Sequence, residues 1–284
     1  MLLLTIICLL AEITLGSWNL KWFPSGRAEH YASERVEKAN FEDAASVVSQ
    51  GLKGNHSILF FQELRDANAA TNLVRHLANT NLHVAVTTGF KVRENRMGWQ
   101  QCAIITDLPV IESRWANWRR TASYTTQPPR GYAYALLDGG KEGLIGCFCI
   151  HLKSNYGAKT EELRASNAAK RELSAKELLE IASAAKSPEG RAITKFIIAG
   201  DFNTDPFAGK FEGEKTTLIL EEGAFINCFK GLPLAQRGTH PGTRRYPDST
   251  LDFFFHRGFK NYSKPTLSPA VPLSDHRMIW MEVE

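Results

Sequence analysis

Short apolar runs rich in β-branched and aromatic residues recur along the chain, at residues 13–20, 58–64, 82–88, 102–106, 132–137, 144–152, 196–199, 251–255 and 278–283. Gly, Pro, Asp or Asn bounds them, which is how strands are punctuated. The runs "ILFF" and "FIIAG" are continuous rather than alternating, and that suits strands buried on both faces. Between strands the spacing turns helical. Residues 33–52 carry Val36, Ala39, Ala44, Val47 and Val48 on one side and end near Gly51. Residues 68–78 form a second helical segment. Residues 160–185 form the longest, with Leu163, Leu173, Leu178, Leu179 and Ile181 on its apolar side, and 216–222 a short fourth. The stretches 82–106 and 115–152 read as successive strands joined by loops. Hairpins mixed with strand–helix–strand units pack best as sheets covered by helices, so the expected class is mixed α/β (α+β).

Composition narrows this little. The 284 residues are 43% hydrophobic and 23% charged, enough for a sizeable core, with a formal net charge of +4. That charge allows a polyanionic partner without requiring one. The opening "MLLLTIICLLA" is uncharged and too short to span a bilayer as a helix. It resembles the apolar core of a secretory signal, although no basic residue precedes it. Residues 1–11 are therefore read as a signal and 12–284 as a single domain, secreted or periplasmic; without a signal the location would be cytoplasmic. No other segment is long and apolar enough to be transmembrane. Cys8 would leave with the signal. Cys102, Cys147, Cys149 and Cys228 form no CxxC pair and read as buried thiols in strands, the alternative in an exported protein being one disulfide that spacing does not assign. Cys147, Cys149 and His151 share a strand face, but alternate residues lie ~6.6 Å apart, too far for three to converge easily on zinc.

The polar residues fall in a telling place. Asn19 lies late in the first strand, and Glu63 closes "ILFFQEL". "CFCIHLKSN" ends in His151, Lys153 and Asn155, and "IIAGDFN" in Asp201 and Asn203. Asp252 sits in "STLDFFFH"; Asp275 and His276 precede the last strand. One Asp or Asn at a strand end is ordinary turn chemistry. Carboxylates, amides and imidazoles at several strand ends mark a place where sites gather. Carboxylates with amides favour a hard, oxygen-seeking cation, and neutral imidazoles beside carboxylates suit proton transfer. Phosphodiester hydrolysis needs both.

The ordered set "SWNL", "FFQEL", "HLKSN", "GDFN", "LDFFF" and "SDH" resembles the endonuclease/exonuclease/phosphatase superfamily, and its deoxyribonuclease-I-like branch in particular. The resemblance implies a four-layer α/β sandwich, two packed mixed β-sheets flanked by helices. It implies an Mg2+-dependent phosphodiester hydrolase, with Mn2+ or Ca2+ as substitutes. Carried over by motif, Glu63 is the principal metal ligand, with Asn19 close by as a ligand or phosphate contact and Asp275 helping to position the metal or the site. Asp201 orients or deprotonates the attacking water, and Asn203 hydrogen-bonds the phosphate. His276 contacts the scissile phosphate and is oriented by Asp252. His151 falls where the deoxyribonuclease and sphingomyelinase branches keep a His. Arg130, Lys153 and Asn155 would contact substrate phosphate. Where deoxyribonuclease I has an acidic partner for the first His, this chain has Gln100 and Gln101, which can orient an imidazole without stabilising its cation.

The substrate stays open at this level. "RWANWRRTASYTTQPPRGYAY", "RGTHPGTRRYPD" and "KVRENR" mix basic and aromatic side chains, which favours nucleic acid. Trp115 and Trp118 would equally suit a lipid interface. The expected function is a nuclease acting on DNA or RNA as a monomer, with no stable protein partner. A lipid or small phosphoester hydrolase and a non-catalytic binding protein on the same fold are the alternatives.

Overall fold

A computed structural model describes residues 13–28, 30–53, 55–79, 81–93, 96–119, 127–244 and 247–284. The signal assigned to residues 1–11 lies outside them, as do parts of the three basic segments. The first sheet holds β1 (Ile13–Phe23), β2 (His56–Leu64), β3 (His83–Thr87), β6 (Gln101–Thr106), β13 (Thr266–Leu267) and β14 (Ile279–Val283), in the order β13-β14-β1-β2-β6-β3. The second holds β7 (Val110–Asn117), β8 (Gly131–Asp138), β9 (Leu144–His151), β10 (Lys195–Asp201), β11 (Ile226–Asn227) and β12 (Asp252–Arg257), in the order β11-β12-β10-β9-β8-β7. β4 (Lys91–Arg93) and β5 (Arg96–Met97) form a separate ribbon. The helices are α1 (Glu34–Gly51), α2 (Ala67–His76), α3 (Glu161–Ala184), α4 (Thr216–Glu222) and α5 (Leu234–Arg237).

Strand alternation sorts the core into layers. Leu15, Ile58, Phe60, Cys102 and Ile104 turn to the second sheet, whereas Trp18, Leu59, Phe61, Ala103 and Ile105 pack with α1 and α2. The outer face of the second sheet is covered by Ala175, Leu178 and Ala182 of α3 and by Ile219 and Leu220 of α4. The result is a sandwich of two sheets with helices on both outsides. The two sheets repeat one plan: a parallel pair in the middle, β1 with β2 and β9 with β10, flanked by antiparallel strands.

The helices depart from their expected faces. α1 buries Phe41, Ala44, Ala45, Val47 and Val48 and leaves Val36 exposed. α3 buries Asn167, Arg171, Ser174, Ala175, Leu178 and Ala182, while Leu163 is 51% exposed. Leu178, Leu179 and Ile181 pack on the core as expected, but a polar stripe of α3 also faces inward because Arg171 has a buried partner in Glu214, and Leu163 at the start of the helix stays outside. β7 was not expected as a separate strand. It alternates buried and exposed positions at the sheet edge, so no apolar run announces it. Cys102, Cys147, Cys149 and Cys228 are buried free thiols.

Candidate active site

Parallel strands end on the same edge, and antiparallel neighbours begin there. The carboxyl ends of β1, β2, β9 and β10 therefore meet the amino ends of β6, β8 and β12. That edge collects Asn19, Glu63, His151, Asp201, Gln101, Arg130 and Asp252. Register fixes them side by side: Asp201 opposes His151 on one flank and Asp252 on the other, and Asn19 opposes Gln62. Gly200 allows this closeness. Its φ is +140°, and a Cβ there would stand 2.0 Å from the Ile150 carbonyl oxygen. The "AGD" of the fourth motif is thus a packing requirement as well as a chemical one.

Backbone strain gathers on the same edge. Among the described residues six non-glycine residues have positive φ, and five are Lys21, Trp22, Glu63, Arg130 and Asn203. Asn visits this region readily; the others cost of order 1–3 kcal/mol each and persist where surrounding structure overdetermines them. β1 and β2 break register between Asn19 and Phe23. The break turns the Trp22 N–H onto Glu63 Oε2 at 3.1 Å.

The side chains surround a cleft of about 690 Å³. Asn19 bridges its two acids, donating from Nδ2 to Asp201 Oδ2 at 2.9 Å and to Glu63 Oε1 at 3.3 Å. Asp201 also accepts from the Asn203 backbone N–H at 2.8 Å and from Asn203 Nδ2 at 3.0 Å. Burial pushes the Asp201 carboxyl up to about 7; the His276 ring pulls against the shift, and Asp252 adds to it. Burial also raises Glu63, against the Asn19 hydrogen bond and the charges of His276 and Arg130.

His276 is delivered by the "SDH" turn. Ser274 Oγ donates to the Asn19 carbonyl at 2.6 Å and accepts from the His276 N–H at 3.0 Å, while Trp18 Nε1 donates to the His276 carbonyl at 2.9 Å. Nδ1 of His276 is 2.8 Å from Asp252 Oδ2, and Nε2 is 3.9 Å from Asp201 Oδ2. Burial opposes charge on this ring, but Asp252 outweighs it and holds the pKa at about 10, so the ring is an imidazolium at neutral pH. Asp252 is itself anchored: Thr239 Oγ1 accepts from the backbone N–H of Leu251 and of Asp252. His151 is the opposite case. Burial, then the charges of Arg130 and His276, press it well below the usual imidazole range. Its Nε2 faces Asp201 at 3.5 Å and Glu63 at 3.7 Å, and its buried Nδ1 has no partner among the described residues. Two histidines of one cleft thus differ in charge because Asp252 hydrogen-bonds the ring of His276, whereas burial and the neighbouring cations Arg130 and His276 dominate at His151.

Several expectations need correction. Asn19 presents its amide nitrogen, not its oxygen, to the acids, because Oδ1 accepts from the Lys21 N–H at 3.0 Å. It bridges carboxylates here rather than offering an oxygen to a cation. Asn155 does not line the cleft; its Oδ1 accepts from Arg171 Nη1 at 3.2 Å. Arg130 is committed largely to the protein: Nε to the His151 carbonyl, Nη2 to the Leu152 carbonyl and Nη1 to Gln100 Oε1, at 2.6–2.9 Å. It retains two of five N–H groups for the cleft it lines. Neither Gln100 nor Gln101 touches His151. Gln100 bonds Glu63 and Arg130, and Gln101 secures Thr88, Phe90 and Gly98. Lys153 does line the cleft, its ammonium on the Ser154 carbonyl at 2.8 Å. Asp275 lies there too, half-exposed and 3.2 Å from the Lys21 ammonium. Lys21, Trp22, Gln100, Tyr156 and His240 are lining residues the motifs did not single out. His240 stands edge-on to His276 with ring centroids 5.0 Å apart.

The donor chemistry suits a hard divalent cation. Glu63 accepts hydrogen bonds only from neutral donors, Asn19, Gln100 and the Trp22 N–H. No Lys or Arg among the described residues is bonded to it. Glu63 and Asp275 offer carboxylate oxygens to the same cleft, which magnesium-like ions prefer. A second buried group, Asp201, Asp252 and His276, brings one ligand atom from each within 4.8 Å of the others. There the His276 nitrogen nearest Asp252 is already hydrogen-bonded, and Asp252 does not reach the cleft.

Comparison with known proteins agrees with this geometry. The model of the Endonuclease/Exonuclease/phosphatase family matches residues 16–276. No curated protein sequence gives a significant match. Among solved structures, an endonuclease/exonuclease/phosphatase from Beutenbergia cavernae superposes with a TM-score of 0.68 at 11% identity, covering 96% of this chain and 72% of its own. Sphingomyelinase C from Streptomyces griseocarneus gives 0.62 at 15% identity, covering 96% and 99%. D. rerio TDP2, complexed with a single-strand DNA product, gives 0.60 at 13% identity, again covering 96% and 99%. At such identities these structures establish a shared fold, while the family match spans most of the chain. The protein belongs to the Endonuclease/Exonuclease/phosphatase family.

Proposed function

We propose that this protein is a divalent-metal-dependent phosphodiesterase whose substrate is a nucleic acid. The observation that carries the reading is the meeting of Glu63, Asp201, His151 and the His276–Asp252 pair around one cleft, from five separate strands or turns. Glu63, with Asp275 beside it, would hold the cation, which when bound offsets charge building on phosphate oxygens. Asp201 accepts the proton of the attacking water; burial makes it a stronger base than a surface carboxylate. Asn19 and Asn203 hold that carboxylate in place through their amides. His276, kept cationic by Asp252, donates from Nε2 to the oxygens on which negative charge grows. His151 is neutral and acts as a polar wall of the cleft, not as an acid. Lys21, Lys153 and the free N–H groups of Arg130 give the rim a positive edge that suits a polyanion.

The test is a panel of plasmid DNA, RNA, sphingomyelin and a chromogenic phosphodiester, each with magnesium and with chelator. The expected result is cleavage of nucleic acid that chelation abolishes and added Mg2+, Mn2+ or Ca2+ restores in part or whole. Turnover of sphingomyelin without cleavage of either nucleic acid would transfer the substrate to lipid. Binding without turnover of any substrate would make the protein a non-catalytic member of the family.

A further inference from the structure

Beside the cleft lies a second hollow of about 380 Å³. The turn after β9 forms one wall and the loop before β12 the other. Tyr156, Asn203, His240 and Leu251 line both spaces, so the two are continuous. The inner surface is built largely from rings and hydrocarbon: Tyr156, Phe211, Pro241, Pro247 and Leu251. Tyr156 is 94% exposed, so its ring is left bare by the rest of the chain. No carboxylate lines the hollow among the described residues. Lys210 stands at its edge, bonded to Ser249 Oγ at 3.4 Å and lying over the Phe211 ring, with no carboxylate partner among the described residues.

We propose that this hollow receives the unpaired nucleobase next to the scissile phosphate, with Tyr156 as its stacking platform and Lys210 meeting the following phosphate. The inference rests on the nuclease reading above and narrows it to single-stranded substrate. Three features select this occupant. Continuity with the cleft means that a group attached to a phosphate beside His276 enters directly. Volume is at the low end for ligand pockets, roughly 300–1,000 Å³, with room for one ring-bearing unit and not for two lipid chains. Charge disfavours a quaternary ammonium headgroup, which would meet Lys210 and, among the described lining residues, no carboxylate, whereas a nucleotide brings a neutral ring and an anion. A base inside a duplex has both faces covered and cannot stack on Tyr156; an unpaired one can.

The experiment compares one single-stranded oligonucleotide, mapped for its cut, with two versions carrying an abasic residue on either side of that bond and with its duplex, all with magnesium. Loss of the base on one side lowers kcat/KM about tenfold, loss on the other side changes it little, and single strands are cut faster than duplex. Thr243→Trp, at an exposed position on the rim of the hollow, fills the space and erases the difference between intact and abasic strands. Equal cleavage of all three single strands by the unaltered protein overturns this inference and leaves the nuclease reading standing. So does full retention of the preference in Thr243→Trp. Cleavage of no nucleic acid, with the chromogenic phosphodiester still turned over, overturns both.

Discussion

Asp252 never reaches the cleft, yet it determines what His276 can do there. Its carboxylate, 2.8 Å from Nδ1, keeps a buried imidazole charged; His151, lining the same cleft with no carboxylate in hydrogen-bond contact, is neutral. Asp252→Asn keeps the shape and removes the charge. Turnover is expected to fall on the order of a hundredfold or more with KM little changed, and the thermal midpoint to drop because the buried His276 loses its counter-charge. Unaltered kcat in that variant would remove the charged histidine from the mechanism. At this scale the sequence was informative about residue type and poor about partners. "SDH" and "LDFFF" pointed to His276 and Asp252 together, and the structure joins them. The glutamines at 100 and 101 were read as companions of His151 because they fall near the right strand; a one-residue change of facing sends Gln101 into the core and Gln100 to Glu63 and Arg130. Arg130 looked like a phosphate clamp by resemblance, from its place just before a strand. Its carbonyl partners at His151 and Leu152 are backbone groups, which no motif can reveal.

At the scale of elements, the segment after β9 is held from two sides. Arg130 grips the carbonyls of His151 and Leu152, and Arg171 of α3 grips the Lys153 carbonyl and Asn155 Oδ1. Arg171 is fully buried and forked onto Glu214, Nε to Oε1 at 2.8 Å and Nη2 to Oε2 at 2.5 Å. Arg171→Met leaves Glu214 as an uncompensated buried charge, so unfolding in urea should show a loss of about 3–5 kcal/mol. Adding Glu214→Leu should recover much of it. A loss no larger in the single variant than in the double would mean that the pair matters only for position. On this helix the reading of apolar spacing held at Leu178, Leu179 and Ile181 and failed at the start. Leu163 and Leu173 suggested one face, but a buried ion pair turned another inward, and a polar residue with a partner is indistinguishable in sequence from one facing water. The very short strands β4, β5, β11 and β13 escaped notice for a different reason: two or three residues carry no period.

For the whole molecule, one buried group outside the site contributes a distinct share of the acid sensitivity. His256 on β12 packs against Phe259 and Tyr262, and both its ring nitrogens are buried without a partner among the described residues. Burial alone lowers its pKa to about 4. The unfolded chain therefore takes up a proton near pH 6.5 that the folded chain refuses until about 4. Stability from this residue is intact above pH 6.5 and falls as pH drops through that window, by on the order of 2–3 kcal/mol. His256→Phe should be at least as stable at pH 7 and should lose less between pH 7 and 4.5, measured as urea midpoints. Parallel curves for the two proteins would show that the ring finds a proton-bearing partner inside the fold. Because other acids and histidines titrate in the same range, only the difference between the proteins isolates His256.

The sequence by itself determined the layered α/β class, the strands at the centre of both sheets and the chemical identities at their ends. Apolar runs long enough to be buried on both faces, and polar residues that interrupt them abruptly, are local properties that survive without coordinates. Tertiary structure decided which of those polar atoms meet. The pairing of parallel strands brings Asn19 and Glu63 from one sheet and His151 and Asp201 from the other to a common edge, and a Cβ-free Gly200 lets the last two approach. It also decided that Asn19 turns its nitrogen to the acids, that Asn155 belongs to Arg171, and that one histidine is charged and its neighbour is not. Hydrogen-bond direction and desolvation depend on distances of a few ångströms between residues up to 258 positions apart, as in Trp18 to His276, and no local pattern encodes such distances.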